Sequence, residues 1–179
     1  MRKVLCALGV FLVMLVTSGL AGTFRNEPQD FRGIAWNADI KDVPNMSPLA
    51  DPKENYDVFY TKKDDDLKFG EVPVKLVKYG FYGDKFYQAV LEYTDKANVP
   101  KLKEALEAKY GPGIMPNKRF EQYLWTGEKV DINLYFSSMK DRGKLTFTYK
   151  PIYKQRKIDE KMEFRQKSRQ PHGSMEDFK

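Results

Sequence analysis

The stretch Lys78 to Thr94, KYGFYGDKFYQAVLEYT, constrains the fold more than any other part of the chain, because it places six aromatic residues in seventeen positions. Tyr79 and Phe81 alternate up to Gly83-Asp84, and beyond that dipeptide Tyr87, Ala89, Leu91 and Tyr93 alternate again. Period-two apolarity on both sides of Gly-Asp is the pattern of two antiparallel strands joined by a tight turn. One face of such a ribbon has to be buried, so the alternating rings are expected between a sheet and a helix, with tyrosine hydroxyls reaching the rim. Lys78, Tyr82 and Phe86 are left for the opposite face, the candidate binding face.

The pattern recurs forty-four residues later: Tyr79-x-Phe81-x-Gly83-Asp84-Lys85 is matched by Tyr123-x-Trp125-x-Gly127-Glu128-Lys129. The return strands, with Val130, Ile132, Leu134 and Phe136 alternating in the second, match only after a slip of one residue. Such a slip moves every side chain to the other face. Trp36 and Trp125 are both expected in the core.

Around these hairpins the elements read as follows. Residues 23–30 are a polar lead-in. FRGIAW reads as a short strand, Asn37 as a left-handed corner, and Asp39 as the cap of one helical turn closed by Pro44. YDVFYTKK is a strand, Asp64-Asp65-Asp66 an exposed turn, and LKFGEVPVKLVKYGFY one long or two short strands broken at Gly70 and Pro73. Leu102, Ala105, Leu106 and Tyr110 share one face of a helix opened by Asn98 and stopped by Gly111-Pro112. EQYLWTG, KVDINLYFSS and GKLTFTYKP are three more strands. The fold class is therefore α+β: an antiparallel meander with one main helix and one short N-terminal helical turn, an order that allows two similar helix-plus-sheet halves.

The N-terminus sets the compartment. Arg2 and Lys3 precede an apolar run from Val4 to Val16 and small residues ending at Ala21 and Gly22. That is the pattern of a secretory signal peptide, 1–22, cleaved after Ala21 or Gly22, and the run falls short of the ~20 residues that span a bilayer. Thr23 follows, where a lipid-bearing cysteine would stand in a lipoprotein. Cys6, the only cysteine, departs with the leader, so the folded chain is expected without disulfides. A single domain, 23–151, and a basic, partly helical or disordered tail, 152–179, complete the division. Residues 23–149 hold twenty Lys/Arg and twenty Asp/Glu, and residues 150–179 nine and five. The basic pI of about 9.2 thus belongs mostly to the tail, where Ile158, Met162 and Arg165 fall at helical spacing. Nucleic acid is not an expected partner of an exported neutral body; the tail reads as a solvated, partly helical extension with no role, its alternative being a basic arm in weak contact with an anionic surface.

The FRGIAW opening, its capped turn and the later YGFY-DKFY hairpin resemble small exported bacterial proteins of unknown function that begin F-x-G-x-x-W-G, with Asn37 standing where they carry Gly. More loosely, the order of elements is similar to that of β-lactamase-inhibitory-protein-like domains and small outer-membrane assembly lipoproteins. The resemblance implies a periplasmic or secreted protein and no particular activity.

Chemistry is bounded by what the chain lacks. Its single histidine, His172, lies in the tail, so no Ser-His-Asp or Cys-His arrangement and no His/Cys metal site is expected in the body. No phosphate-binding glycine motif occurs. Catalytic, cofactor and metal residues are accordingly none. The function expected is a non-enzymatic envelope protein that binds an envelope protein or peptide, in one version by strand addition to a sheet edge. The alternative is a hydrolase of cell-wall glycan working through two of Asp57, Glu92, Glu121 and Asp131.

Overall fold

The computed structural model describes residues 24–50 and 57–168. The leader, the cleavage positions Ala21 and Gly22, Cys6 and His172 lie outside the described residues. In chain order the strands are β1 (Asp30–Phe31), β2 (Ile34–Ala35), β3 (Met46–Pro48), β4 (Asp57–Lys62), β5 (Lys68–Phe69), β6 (Val72–Pro73), β7 (Leu76–Tyr82), β8 (Lys85–Tyr93), β9 (Glu121–Thr126), β10 (Val130–Ser137) and β11 (Arg142–Tyr149). Helix α1 spans Asn98–Tyr110 and α2 Lys150–Lys167, and a 3-10 turn covers Ile40–Asp42. Seven strands form one antiparallel sheet in the order β3-β4-β7-β8-β11-β10-β9, while β1-β2 and β5-β6 are separate two-stranded ribbons. This is the α+β meander expected.

One face of the sheet, here the inner face, carries Tyr79, Phe81, Phe86, Ala89, Leu91 and Tyr93 from the opening hairpin, all at most 2 % exposed. Ile132, Leu134, Leu145 and Phe147 extend it across β10 and β11, and Val99, Leu102, Leu106 and Tyr110 of α1 close over it. Leu102, Leu106 and Tyr110 are among the positions read from helical spacing, Val99 joins them and Ala105 is only partly buried; burying each large apolar side chain stabilises by roughly 1.5–3 kcal/mol. Gly111, at φ 83°, ends the helix.

The one-residue slip between the two hairpins has a physical origin. Gly80 pairs with Gln88 and the next pair is Phe81 with Phe86, so Tyr87 is an extra residue in β8, a β-bulge. Phe86 therefore points inward with Ala89 and Leu91, and Tyr87 points outward. The expectation that Tyr87 shares a face with Ala89, Leu91 and Tyr93 is corrected by that bulge. Both turn residues, Gly83 and Asp84, sit at positive φ, as a two-residue hairpin of matching twist requires.

Three further details differ from the sequence reading. FRGIAW is a tight hairpin rather than a strand, because Arg32 and Gly33 both adopt positive φ, 53° and 78°. It buries Phe31 and Ile34 together and leaves Ala35 exposed. Asp65, in the turn expected to be exposed, accepts from Arg32 Nη1 at 2.6 Å and from the Tyr79 hydroxyl at 2.9 Å, with its side chain only 10 % exposed. The polar lead-in is also part of the fold: Phe24 packs edge-on against Tyr110 at 5.7 Å. Glu27 accepts from the backbone N–H groups of Glu128, Lys129 and Val130, and so holds the β9–β10 turn. Asp39 caps the 3-10 turn by accepting from the Lys41 N–H at 3.3 Å, and Asn37 takes the left-handed corner at φ 69°.

The segment read as tail begins with α2. This helix crosses the outer face at the end carrying the Gly83-Asp84 turn, called here the lower end. Asp57 accepts from the Tyr87 hydroxyl at 2.7 Å and from Arg156 Nε at 2.6 Å, and Asp159 accepts from the Tyr82 hydroxyl at 2.7 Å. Ile158 and Met162, at helical spacing, are nonetheless half exposed, so polar links rather than an apolar stripe seat α2.

Candidate binding face

The three residues picked from the sequence are not brought together. Phe86 is fully buried on the inner face, stacked on Trp36 at 4.9 Å, because of the bulge beside it. Tyr82 is on the outer face but is engaged by Asp159 of α2, and burial together with that carboxylate pushes its phenol up to about 12. Lys78 lies on the outer face toward the upper end, away from α2, and pairs with Glu92 at 2.6 Å.

That upper end is what α2 leaves open. There a cleft of about 470 Å³ is lined by Lys75, Lys140, Arg142 and Lys144, with Glu92 as its single carboxylate among the described residues and Tyr135 and Ser137 on its wall. The register explains the gathering: Glu92 of β8 faces Leu76 on one side and Lys144 on the other. Tyr135 of β10 faces Lys144 from the next strand out. A hydrogen bond from Lys78 holds the Glu92 carboxyl below its usual range, and the charges of Lys78, Lys144 and Arg142 act in the same sense. Several cations with one carboxylate make a site for a negatively charged group, supplemented by hydroxyls that can donate or accept. Gly143 also borders the cleft; on the inner face any Cβ there would fall on the Tyr93 ring, whose hydroxyl donates to the Tyr135 carbonyl at 3.2 Å.

Around the edge, Tyr135 and Ser137 also border a second cleft of about 490 Å³. Its wall comes from the loop before β9, with Met115, Lys118, Arg119 and Phe120, and from the β10–β11 turn with Met139. The edge strand is covered at its centre: Leu124 N–H and carbonyl are both taken by Ile114 at 2.8 Å. At the other edge β3 is three residues long and ends in Pro48. Short, proline-ended or covered edges offer few groups to an added strand.

The four carboxylates considered for glycan hydrolysis lie apart. Asp57 and Asp131 are both at the lower end, with β7, β8 and β11 between their strands, and Asp131 has Lys150 at 3.4 Å. Glu92 is on the outer face, whereas Glu121 pairs with Lys96 at 3.2 Å and sits opposite inward-facing Phe136. Among the described residues no three His, Cys, Asp or Glu side chains converge on a metal-sized site, and no helix is long and apolar enough to cross a membrane.

No family model, curated protein or solved structure matches this chain.

The cationic cleft was not found by sequence reasoning. Its residues lie in the lead-in to β7, in β8, in β10 and around the β10–β11 turn, and no local motif links them. The signal available was the local excess of cations in KDRGK, residues 140–144, within a body of balanced charge.

Proposed function

We propose that the chain is an exported, non-enzymatic binding module of the bacterial envelope that takes an anionic ligand in the cleft between Lys75, Arg142, Lys144 and Tyr135. The observation that carries this reading is the cluster of cations around one carboxylate already neutralised by Lys78. A body with no net charge that gathers cations at one end has a field directed toward an anion there. Separation of Asp57, Glu92, Glu121 and Asp131 supports binding over the hydrolase alternative, which needs two carboxylates within about 5–9.5 Å across one cleft. The bridge at Leu124 on one edge and the short, proline-ended β3 on the other support surface binding over strand addition. Export rests on the leader pattern and on the resemblance of the FRGIAW opening to small exported proteins.

The test is a titration of the protein with inorganic phosphate and with citrate, followed by amide NMR shifts at 50 mM and 300 mM salt. Shifts expected are confined to Lys75, Glu92, Tyr135, Ser137 and residues 140–144, weaken with salt, and vanish in Arg142→Ala/Lys144→Ala. Shifts elsewhere, or none from either anion, would defeat the reading. Intact mass of protein recovered outside the cytoplasm should place the N-terminus at Gly22 or Thr23.

A further inference from the structure

We infer that the upper end of the molecule is a docking surface for a bilayer containing anionic lipid, with Phe120, Met115 and Met139 entering the interface and Lys118, Arg119 and Lys140 meeting the headgroups. This goes beyond the anion-binding reading and shares only Lys140 with it. Single exposed apolar residues are ordinary on a protein surface. Here several converge from two loops on one rim: Met139 is 99 % exposed, Phe120 54 % and Met115 39 %. All three border the same cleft, so they form one patch rather than scattered positions.

The charges around the patch decide the occupant. Lys96, Lys118 and Arg119 line the cleft, and its one acid among the described residues, Glu121, is neutralised by Lys96 at 3.2 Å. Among the described residues Lys118, Arg119 and Lys140 make no ion pair. Apolar side chains on projecting loops, flanked by unpaired cations, match the layered chemistry of an interface: acyl boundary inside, phosphate outside. A protein partner is fitted less well, because Leu124 of the adjoining edge strand is already bridged to Ile114 and Met139, at a turn tip on the cleft rim, stands 99 % exposed. The same geometry sets the anionic contact at the opposite end of the sheet from the tail, whose basic arm is the sequence's alternative to a solvated extension. Arg156 of α2 is spent on Asp57.

The test is co-sedimentation with vesicles of phosphatidylcholine alone and of phosphatidylcholine with phosphatidylglycerol at low salt. Every chain carries the same N-terminus, verified by intact mass. The parent is expected to partition at least about tenfold more strongly onto the anionic vesicles, since each surface cation contributes about fivefold. Phe120→Ser/Met139→Ser should weaken that partition by about tenfold, and Lys118→Ser/Arg119→Ser, which removes two cations, by about 25-fold. Thermal melts should stay at the parent value, because these side chains are exposed. Lys161→Ser/Arg165→Ser/Lys167→Ser in α2 should bind like the parent. The proposal is overturned if both upper-end variants sediment like the parent, if the α2 variant alone loses binding, or if anionic and neutral vesicles retain the protein equally.

Discussion

Gly80 and Tyr87 meet across the β7–β8 bulge: a Cβ on Gly80 would stand 3.3 Å from Cε1 of Tyr87 and 2.9 Å from Cε1 of Phe59. The missing side chain lets the outward-turned Tyr87 lie flat on the sheet beneath α2. Gly143 plays the equivalent part on the inner face, under Tyr93. Phe59 is half-buried and its ring edge can give, whereas Tyr93 is 1 % exposed and stacked on Phe136 at 6.1 Å. Gly80→Ala should therefore cost about 1 kcal/mol and Gly143→Ala about 3 kcal/mol, the upper part of the range for overpacking. Urea unfolding of the two variants checks the order, and the reverse order would contradict the packing described.

Tyr87, Asp57 and Arg156 form one link between sheet and α2. Removing only the hydroxyl, in Tyr87→Phe, loses a single hydrogen bond and should cost about 1–2 kcal/mol. Asp57→Ala deprives both a buried phenol and a partly buried guanidinium of their acceptor, and should cost about 2–4 kcal/mol. If the link seats α2, amide exchange within Lys150–Lys167 should accelerate in Asp57→Ala while exchange in β10 stays at the parent rate. Uniform acceleration through both would contradict a local role.

Alkaline pH should unfold the protein early. Burial, and for Tyr79, Tyr82 and Tyr87 the carboxylate each hydroxyl donates to, raises the phenols of Tyr79, Tyr82, Tyr87 and Tyr93 above the unfolded value of about 10, to about 12 for Tyr82. A raised folded value means that the stabilisation is complete below pH 10 and is lost as pH climbs through the folded values. Denaturant midpoints should be level near pH 8–9 and decline from about pH 10 to 12. Absorbance at 295 nm should show part of the eleven tyrosines ionising only on unfolding. A smooth titration of all of them near pH 10 in folded protein would refute the burial of these hydroxyls.

The two tryptophans should separate in effect. Trp125 is 2 % exposed, donates from Nε1 to the Gly111 carbonyl at 2.8 Å, and presses on Gly113, whose Cβ would come within 2.6 Å of the ring. Trp125→Ala should cost about 3–5 kcal/mol. Trp36 is only partly buried, between Phe86 and Tyr149, and its Nε1 donates to Pro28. Its replacement should cost about 2 kcal/mol, below the range for fully buried aromatics. Acrylamide should quench Trp36 in Trp125→Phe more readily than Trp125 in Trp36→Phe.

The elements whose cause is local were legible in the sequence itself. Gly83-Asp84 needs positive φ at neighbouring residues, Asn37 supplies a left-handed corner, Gly111 stops α1, and period two along Tyr79–Phe81 and Ile132–Phe136 fixes which residues face inward between bulges. Those signals act over a few residues, so each can be read without knowing its neighbours in space. Tertiary structure alone decided the rest. The bulge at Tyr87 depends on Gly80 and Phe59 of other strands, and it sent Phe86 to the core instead of the candidate face. Arg32 is committed to Asp65, and Glu27 to the turn at residues 128–130, across separations that no pattern announces. The cationic cleft exists because the strand order places β10 and β11 beside β8. Lys75, Glu92, Tyr135 and Lys144 become neighbours through hydrogen-bond register, a long-range property that residue types alone do not encode.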